Sequence, residues 1–283
     1  MPSFSSAPAQ FAHEVEAEAG SRRQGSSVVS SDEELARYLA EAAGALLVRL
    51  RETPGEPEQL RSMGDRESHT WLMEQLAVLC PGDAVLSEEG VDDPARLAAE
   101  RVWIVDPLDG TREYGELGRT DWAVHVALWE RGELSCGAVA LPARGVVYSS
   151  GTPVALPERS GPIRLAVSRS RPPVFITELA DHLGAVLVPM GSAGVKGTSV
   201  ASGEVDAYVH AGGQYEWDSA APVAVARAVG LHTSRIDGSP LRYNQPNPLL
   251  PDLVIAHPDV AESVLTAIAS VERFSQVMEA NKR

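Results

Sequence analysis

The chain has 283 residues, 44% of them hydrophobic and 22% charged, which suits one large or two medium globular domains. Its 39 acidic residues against 24 basic ones give a net charge of −15, and that balance argues against nucleic acid as a partner. Two cysteines, Cys80 and Cys136, are too few for a disulfide framework, and no run reaches the roughly 18 apolar residues of a membrane span.

Residues 1–29 are rich in Ser, Ala, Gln and Glu and lack the continuous apolar core of a signal peptide. They read as a disordered tail, and the expected compartment is the cytoplasm. A first helix is expected from Ser31, where Ser31-x-x-Glu34 has capping-box form and Leu35, Leu39, Ala42, Leu46 and Leu50 follow at helical spacing. Pro54, Gly55 and Pro57 mark a loop. A second helix is expected from about Asp65 to Leu79, which places Asp65 at its N-cap, and Pro81-Gly82 stops it. Ala84-Val85-Leu86 is a short apolar strand that runs into Ser87-Glu88-Glu89.

The most informative stretch is Trp103 to Thr111. Val102 to Val105 reads as a buried strand, Asp106 sits at its end, Pro107 sets a turn and Gly110 supplies freedom of φ. Two carboxylates three residues apart on such a turn suit Mg²⁺, which takes carboxylates together with substrate phosphate. Thr111 adds a hydroxyl able to orient a water. An Asx turn explains most of the same letters, so both readings stand at this point.

Trp122 to Trp129, Ser135 to Leu141 and Val146 to Tyr148 form an expected antiparallel meander. His125, and later His210, lie inside apolar strands and read as satisfied core residues. The Gly-, Pro- and Ser-rich stretch from Ser150 to Pro162 divides an N-terminal α+β half (30–160) from a C-terminal α/β half (161–275), with a short tail at 276–283. The second half alternates. Strands are expected at Ile163 to Ser168, Val186 to Pro189, Val205 to His210 and Leu253 to Ala256. Helices are expected at Phe175 to Leu183, from Gly191-Ser192-Ala193-Gly194 to about Gly203, at Ser219 to Gly230 and at Val260 to Val271. Asp218 stands at the mouth of the third of these helices, where a lone Asp is most simply an N-cap.

Three acidic strand or helix ends now stand in order: Ser87-Glu88-Glu89, then Asp106-Pro107-Leu108-Asp109-Gly110-Thr111, then Trp217-Asp218-Ser219-Ala220-Ala221. This set resembles the inositol monophosphatase-like superfamily of Mg²⁺-dependent, lithium-sensitive phosphatases, over about Asp32 to Ala269. The resemblance implies a five-layer αβαβα sandwich. It also implies two or three Mg²⁺ ions held by Glu88, Asp106, the Leu108 carbonyl, Asp109 and Asp218, with Asp109 bridging metals. Thr111 would orient the attacking water, with Asp65 and Glu88 as candidate bases and Glu89 behind them. Only Gly64-Asp65 remains of the motif that carries the family's auxiliary Asp. Gly191-Ser192-Ala193-x-x-Lys196 resembles a segment that lines the family's substrate pocket, together with Leu108, Asp109, Gly110, Thr111 and Asp218. Ser192 reads equally as an N-cap, and Lys196 as a helix residue facing solvent.

Within the superfamily, Ser87-Glu88-Glu89, Glu216-Trp217-Asp218 and Asp237-Gly238-Ser239-Pro240-Leu241-Arg242-Tyr243-Asn244 resemble the CysQ-type 3′(2′),5′-bisphosphate nucleotidase branch. That branch hydrolyses adenosine 3′,5′-bisphosphate to AMP, with its phosphosulfate relative as a further substrate, and supports sulfate assimilation. Arg242 and Tyr243 would then offer a guanidinium and an aromatic face to a second phosphate or a purine; a plain turn and edge strand is the alternative. Pro222 departs from the usual Gly after W-D-x-A-A. Inositol-1-phosphate and fructose-1,6-bisphosphate are alternative substrates. A non-enzymatic metal- or phosphate-binding protein is the alternative class, and the intact acidic set argues against it. The expected partners are a small phosphate ester and a second copy in a homodimer, with neither nucleic acid nor membrane.

Overall fold

The computed structural model describes residues 31–170, 172 and 174–271. The tails expected at 1–29 and 276–283 lie outside the described residues. Helix α1 (Asp32–Arg51) starts where Ser31 accepts the Glu34 N–H at 3.3 Å, as its capping pattern suggests. Helix α2 spans Pro57–Leu79, with Pro57 in its first turn. It begins eight residues before the expected start, so Asp65 lies inside the helix and is not its N-cap. The misleading signal is Gly64. A Cβ there would come within 2.6 Å of the Tyr114 ring and 2.9 Å of Leu108, so this glycine serves close packing inside a helix.

The first sheet has the order β1-β2-β3-β4-β5. Its strands are β1 (Ala84–Ser87), β2 (Arg101–Asp109), β3 (Ala123–Glu130), β4 (Glu133–Leu141) and β5 (Val146–Ser149). β1 runs parallel to β2, and the remaining pairs are the antiparallel meander. A one-turn helix, α3 (Thr111–Gly115), follows β2.

The second sheet is mixed, with the order β7-β6-β8-β10-β9. In chain order its elements are β6 (Arg164–Ser168), α4 (Val174–Leu183), β7 (Val186–Met190), α5 (Ala193–Ala201), β8 (Ala207–Tyr215), α6 (Glu216–Ala228), β9 (His232–Ser234), β10 (Leu249–Ala256) and α7 (Pro258–Ser270). β6 is parallel to β7 and β8, whereas β10 is antiparallel to β8 and β9. β9 carries no periodic apolar signal. β8 and β10 extend beyond their apolar runs because ladder bonds join Leu249 and Leu250 to Tyr215 and Gln214.

Strand periodicity builds the layers. Along β2, Trp103 and Val105 pack with Leu39, Leu47 and Leu72 of α1 and α2, while Val102 and Ile104 face Val195, Ala220 and Val223 of α5 and α6. Being buried on both faces, β2 reads as one continuous apolar run. Across the second sheet, Val209 and Val254 pack against α4 and α7, while Tyr208, Leu253 and Ile255 return to the central layer. The result is the expected αβαβα sandwich, with α5 and α6 between two sheets.

One buried polar joint ties the central layer to the loop before β10. Glu216, 1% exposed, accepts the Asn244 and Gln245 N–H groups at 2.6 and 2.8 Å, and Arg96 donates to Asn244 Oδ1 at 2.6 Å. Tyr243 is buried and pairs its hydroxyl with Ser219 Oγ at 3.1 Å, so it offers no open face to a purine. Arg242 is exposed and outside the cavity described below. Glu216 and the 237–244 loop therefore form a single structural unit. Removing a charged acceptor from two buried N–H groups costs about 3 kcal/mol. Glu216→Ala should lower the thermal midpoint by roughly 6–12 °C at a slope of about 2–4 °C per kcal/mol. An unchanged melting curve by circular dichroism contradicts the joint.

Candidate active site

The site starts from a bulge at the end of β2. Asp106 pairs with His125 and Asp109 with Ala123, so β2 carries one residue more than its partner over that interval. Asp106 Oδ1 takes the Leu108 N–H at 3.0 Å, which is the Asx turn anticipated for these letters. Ser68 Oγ holds the Pro107 carbonyl at 2.7 Å. Gly110 has φ +84°, and a Cβ on it would press on Ser192 Cβ and the Asp121 carbonyl at 3.2 and 3.3 Å. Turn and carboxylate roles coincide, because only one oxygen of Asp106 is used by the turn.

Its other oxygen, Oδ2, is buried and has no hydrogen-bond partner among the described residues. Carboxylate oxygens of Asp106, Asp109 and Asp218 lie within 4.8 Å of one another. Asp218 is the third residue of α6, and its Oδ2 reaches back to the Tyr215 N–H at 2.6 Å. It thus caps the helix from inside rather than standing as the N-cap itself. Pro222 sits within α6 and packs where a Cβ on Gly197 would meet it at 2.8 Å, and the helix continues to Ala228.

Asp109 is held by three neighbouring groups. Its Oδ2 accepts Ser192 Oγ–H at 2.5 Å and the Gly194 N–H at 2.6 Å, and lies 3.2 Å from His125 Nε2. With Oδ2 turned to those three groups, only Oδ1 is free to face a cation. Ser192 Oγ also accepts the Val195 N–H at 3.0 Å, so its hydroxyl serves Asp109 and the α5 cap while the residue lines the cavity described below. The Gly191 N–H is likewise taken, by Asp121 Oδ2 at 2.7 Å.

Glu88 follows β1 and turns its carboxyl toward Asp106, though like Glu89 beside it the residue is exposed and stands outside the three converging carboxylates. Thr111 opens α3 with Oγ1 at 3.2 Å from Asp65 Oδ1 and 3.1 Å from the Leu108 carbonyl. The turn of α2 that carries Asp65 thereby meets the β2 bulge.

Electrostatics follow from the crowding. Burial, then the charges of Glu88, Asp109 and Asp218, holds Asp106 well above the ordinary carboxylate range. Burial with neighbouring Asp109 pushes Asp218 up to about 7, and burial foremost pushes Glu88 up to about 7. Asp65 rises to about 6, chiefly by burial and then by the charge of Glu89. Burial opposes ionisation of Asp109 too, but His125, Lys196 and Ser192 outweigh it and keep this carboxylate below the usual range. An all-oxygen donor set with an orphaned carboxylate oxygen fits a hard divalent cation.

Beside the cluster opens a cavity of about 370 Å³ lined by Asp109, Asp218, Lys196, Tyr208, His210 and Gln214, among others. Lys196 does not face solvent: it is 8% exposed, donates to the Ser192 carbonyl at 2.6 Å and stands 5.4 Å from the Tyr208 ring centroid. His210 is half-buried on the cavity wall and not a core residue; burial lowers it to about 4, so it is neutral at pH 7. His125 is fully buried, as expected, yet it also touches Asp109. Tyr208, Gln214 and the His125–Asp109 contact carry no sequence motif. The one available signal is a lone polar residue within each apolar strand.

A model of the inositol monophosphatase family matches residues 27–272. The chain belongs to the inositol monophosphatase family. Among its relatives, the 3′-phosphoadenosine 5′-phosphate phosphatase of Mycobacterium leprae is 50% identical over 256 residues, 85% of this chain and 94% of the relative. The 3′(2′),5′-bisphosphate nucleotidase CysQ of Escherichia coli is 34% identical, over 63% of this chain and 77% of the relative. In three dimensions the chain is similar to CysQ from Bacteroides thetaiotaomicron, a bacterial family member, with a TM-score of 0.67, 26% identity and coverage of 79% of this chain and 96% of that one. The inositol monophosphatase family is metal-dependent, and the chain is a phosphatase acting on small phosphate esters. No helix among its described residues is long and apolar enough to cross a membrane.

Carboxylates raised above their ordinary range of about 4 stabilise the fold while protonated. That contribution is lost as pH rises from about 4 through the values near 6 and 7 of Asp65, Glu88 and Asp218. A bound divalent cation removes the repulsion that appears in that window. The rise in thermal midpoint on saturation with the cation should therefore be larger at pH 8 than at pH 5. An equal rise at both pH values, measured by scanning calorimetry, contradicts the cluster's role.

Proposed function

We propose that this family member is a Mg²⁺-dependent 3′-nucleotidase that hydrolyses the 3′-phosphate of adenosine 3′,5′-bisphosphate and leaves AMP. The observation that carries the reading is 50% identity to the Mycobacterium leprae phosphatase across 94% of that protein. The site fits it physically, because an oxygen-only acidic cluster opens directly onto a cavity of ligand size.

Asp106, Asp109 Oδ1, Asp218, Glu88 and the Leu108 carbonyl are the groups that would hold two or three Mg²⁺ ions. When bound, the ions supply charge neutralisation for the phosphoryl oxygens and an acidic environment for water. The protein's own residues do the rest. Asp65 and Thr111 form a hydrogen-bonded pair, at 3.2 Å, beside the cluster. Asp65, titrating at about 6, is ionised in most molecules at pH 7 and can take a proton that the Thr111 hydroxyl relays. Ser192, Gly194 and His125 keep Asp109 from rotating as charge moves. Asp218 places the phosphate near the N-terminal end of α6, whose dipole favours negative charge. Lys196 adds a cation at the cavity floor. The net charge of −15 repels a bisphosphate only over distances that salt screens within about 8 Å.

The ratio kcat/KM for adenosine 3′,5′-bisphosphate, set against inositol-1-phosphate and fructose-1,6-bisphosphate, tests the reading. The nucleotide should lead both by tenfold or more, about 1.4 kcal/mol of transition-state discrimination. A tenfold lead for either non-nucleotide overturns it.

A further inference from the structure

His125 lies in the middle of β3 between Val124 and Val126, at a position where an apolar side chain would fill the space without any polar demand. Its ring is fully buried and meets two acceptors. Nδ1 is 3.0 Å from the Trp217 carbonyl, and Nε2 packs 3.2 Å from Asp109 Oδ2 in a close contact outside hydrogen-bond geometry. A carbonyl oxygen only accepts, so Nδ1 carries its hydrogen toward Trp217. The ring is also fitted against α5: a Cβ on Gly194 would fall 2.0 Å from Nε2, and only a glycine leaves room for the imidazole. That same Gly194 donates its N–H to Asp109 Oδ2 at 2.6 Å. One imidazole therefore joins the end of β2, the start of α5 and the first turn of α6, the residue beside Asp218.

We propose that His125 is a positioning residue, which fixes the Asp109 carboxylate so that Oδ1 faces the cation and ties the Asp109 and Asp218 segments into one rigid frame. The inference rests on the assignment of Asp109 and Asp218 as metal ligands. Its reasoning is steric and geometric. Asp109 Oδ2 is surrounded by Ser192, Gly194 and His125 from two different elements, so the carboxylate has one orientation in which all three contacts are kept. Removing the imidazole takes away the contact from β3 and, at the same time, the link to the Trp217 backbone. Groups that orient metal ligands through hydrogen bonds typically change metal affinity by about 10–100-fold.

The test is titration of Mg²⁺ into the full chain, in the absence of substrate, by isothermal calorimetry, with the apo melting curve recorded for each variant. His125→Leu should bind Mg²⁺ about 10–100-fold more weakly than the wild type while the apo protein still melts cooperatively. His125→Gln, whose side-chain amide reaches the position of Nε2, should recover most of that loss. In the assay, the variants should raise the Mg²⁺ concentration needed for half-maximal rate while leaving KM for the nucleotide at saturating Mg²⁺ near the wild-type value. In an Asp109→Asn background, His125→Leu should cause no further loss, because its effect runs through that carboxylate. Wild-type Mg²⁺ affinity in His125→Leu overturns the inference, as does a His125→Gln variant no better than His125→Leu. An equal loss in the Asp109→Asn background overturns it too. Should the wild type itself bind no Mg²⁺, the ligand assignment fails rather than the role of His125.

Discussion

Carboxylates brought together in a poorly hydrated place repel one another, and each resists ionisation. In this chain Asp106, Asp109 and Asp218 converge within 4.8 Å, two of them almost wholly buried, and Glu88 presses on the same point. Nearby nitrogen groups offset part of that charge. Lys196 sits at the floor of the cavity, and His125 touches Asp109. Both act on Asp109, whose carboxylate is the one held below the ordinary range. Asp106 keeps a buried oxygen with no hydrogen-bond partner among the described residues. A divalent cation answers that imbalance, which is why the cluster costs stability alone and serves chemistry when filled.

The fold is arranged to make that convergence possible. The three carboxylates come from the bulge of β2 and from the first turn of α6, elements that belong to different layers until the central helices bring them together. Small residues permit the approach: Gly64 under Tyr114, Gly110 in a left-handed turn, Gly194 against an imidazole. Asp121 and Asp109 each clamp an N–H of the 191–194 loop, so the start of α5 is positioned by carboxylates of the first half. Glu216 does the equivalent service for the loop before β10. Polar joints at strand and helix ends thus carry the precision, while the apolar faces of β2 and β8 carry the burial.

Much of this was legible in the residues. The continuous apolar run before Asp106 reads as a buried strand, and the D-P-x-D-G-T spacing announces a turn that carries carboxylates. The alternation after Ile163 announced helices packed on a sheet. What escaped had identical local signals. A glycine that permits close helix packing looks like a helix boundary, so Asp65 was placed at an N-cap. Tyr243 looks like a ligand group, and Glu216 like part of a site motif, until the structure pairs them with Ser219 and with the backbone at 244–245. Lys196 one turn into a helix looks solvent-facing, because nothing local reveals that the opposite sheet covers it. His125 and His210 have similar apolar neighbours in sequence, yet one is a buried bridge to Asp109 and the other lines the cavity. Contacts between distant strands separate such cases, and single-sequence periodicity does not contain them.

The central claim is that crowded, partly protonated carboxylates are ionised by the cation they hold. Counting protons released on Mg²⁺ binding tests this most directly, by calorimetric titration at pH 7 in buffers of different ionisation enthalpy. Glu88 and Asp218, held near 7, are partly protonated in the cation-free protein at that pH, and Asp106 is held well above the ordinary carboxylate range. The account predicts release of about one proton or more per chain at saturation, shrinking as the pH is raised above 9. Saturable Mg²⁺ binding at pH 7 with no proton release would contradict it.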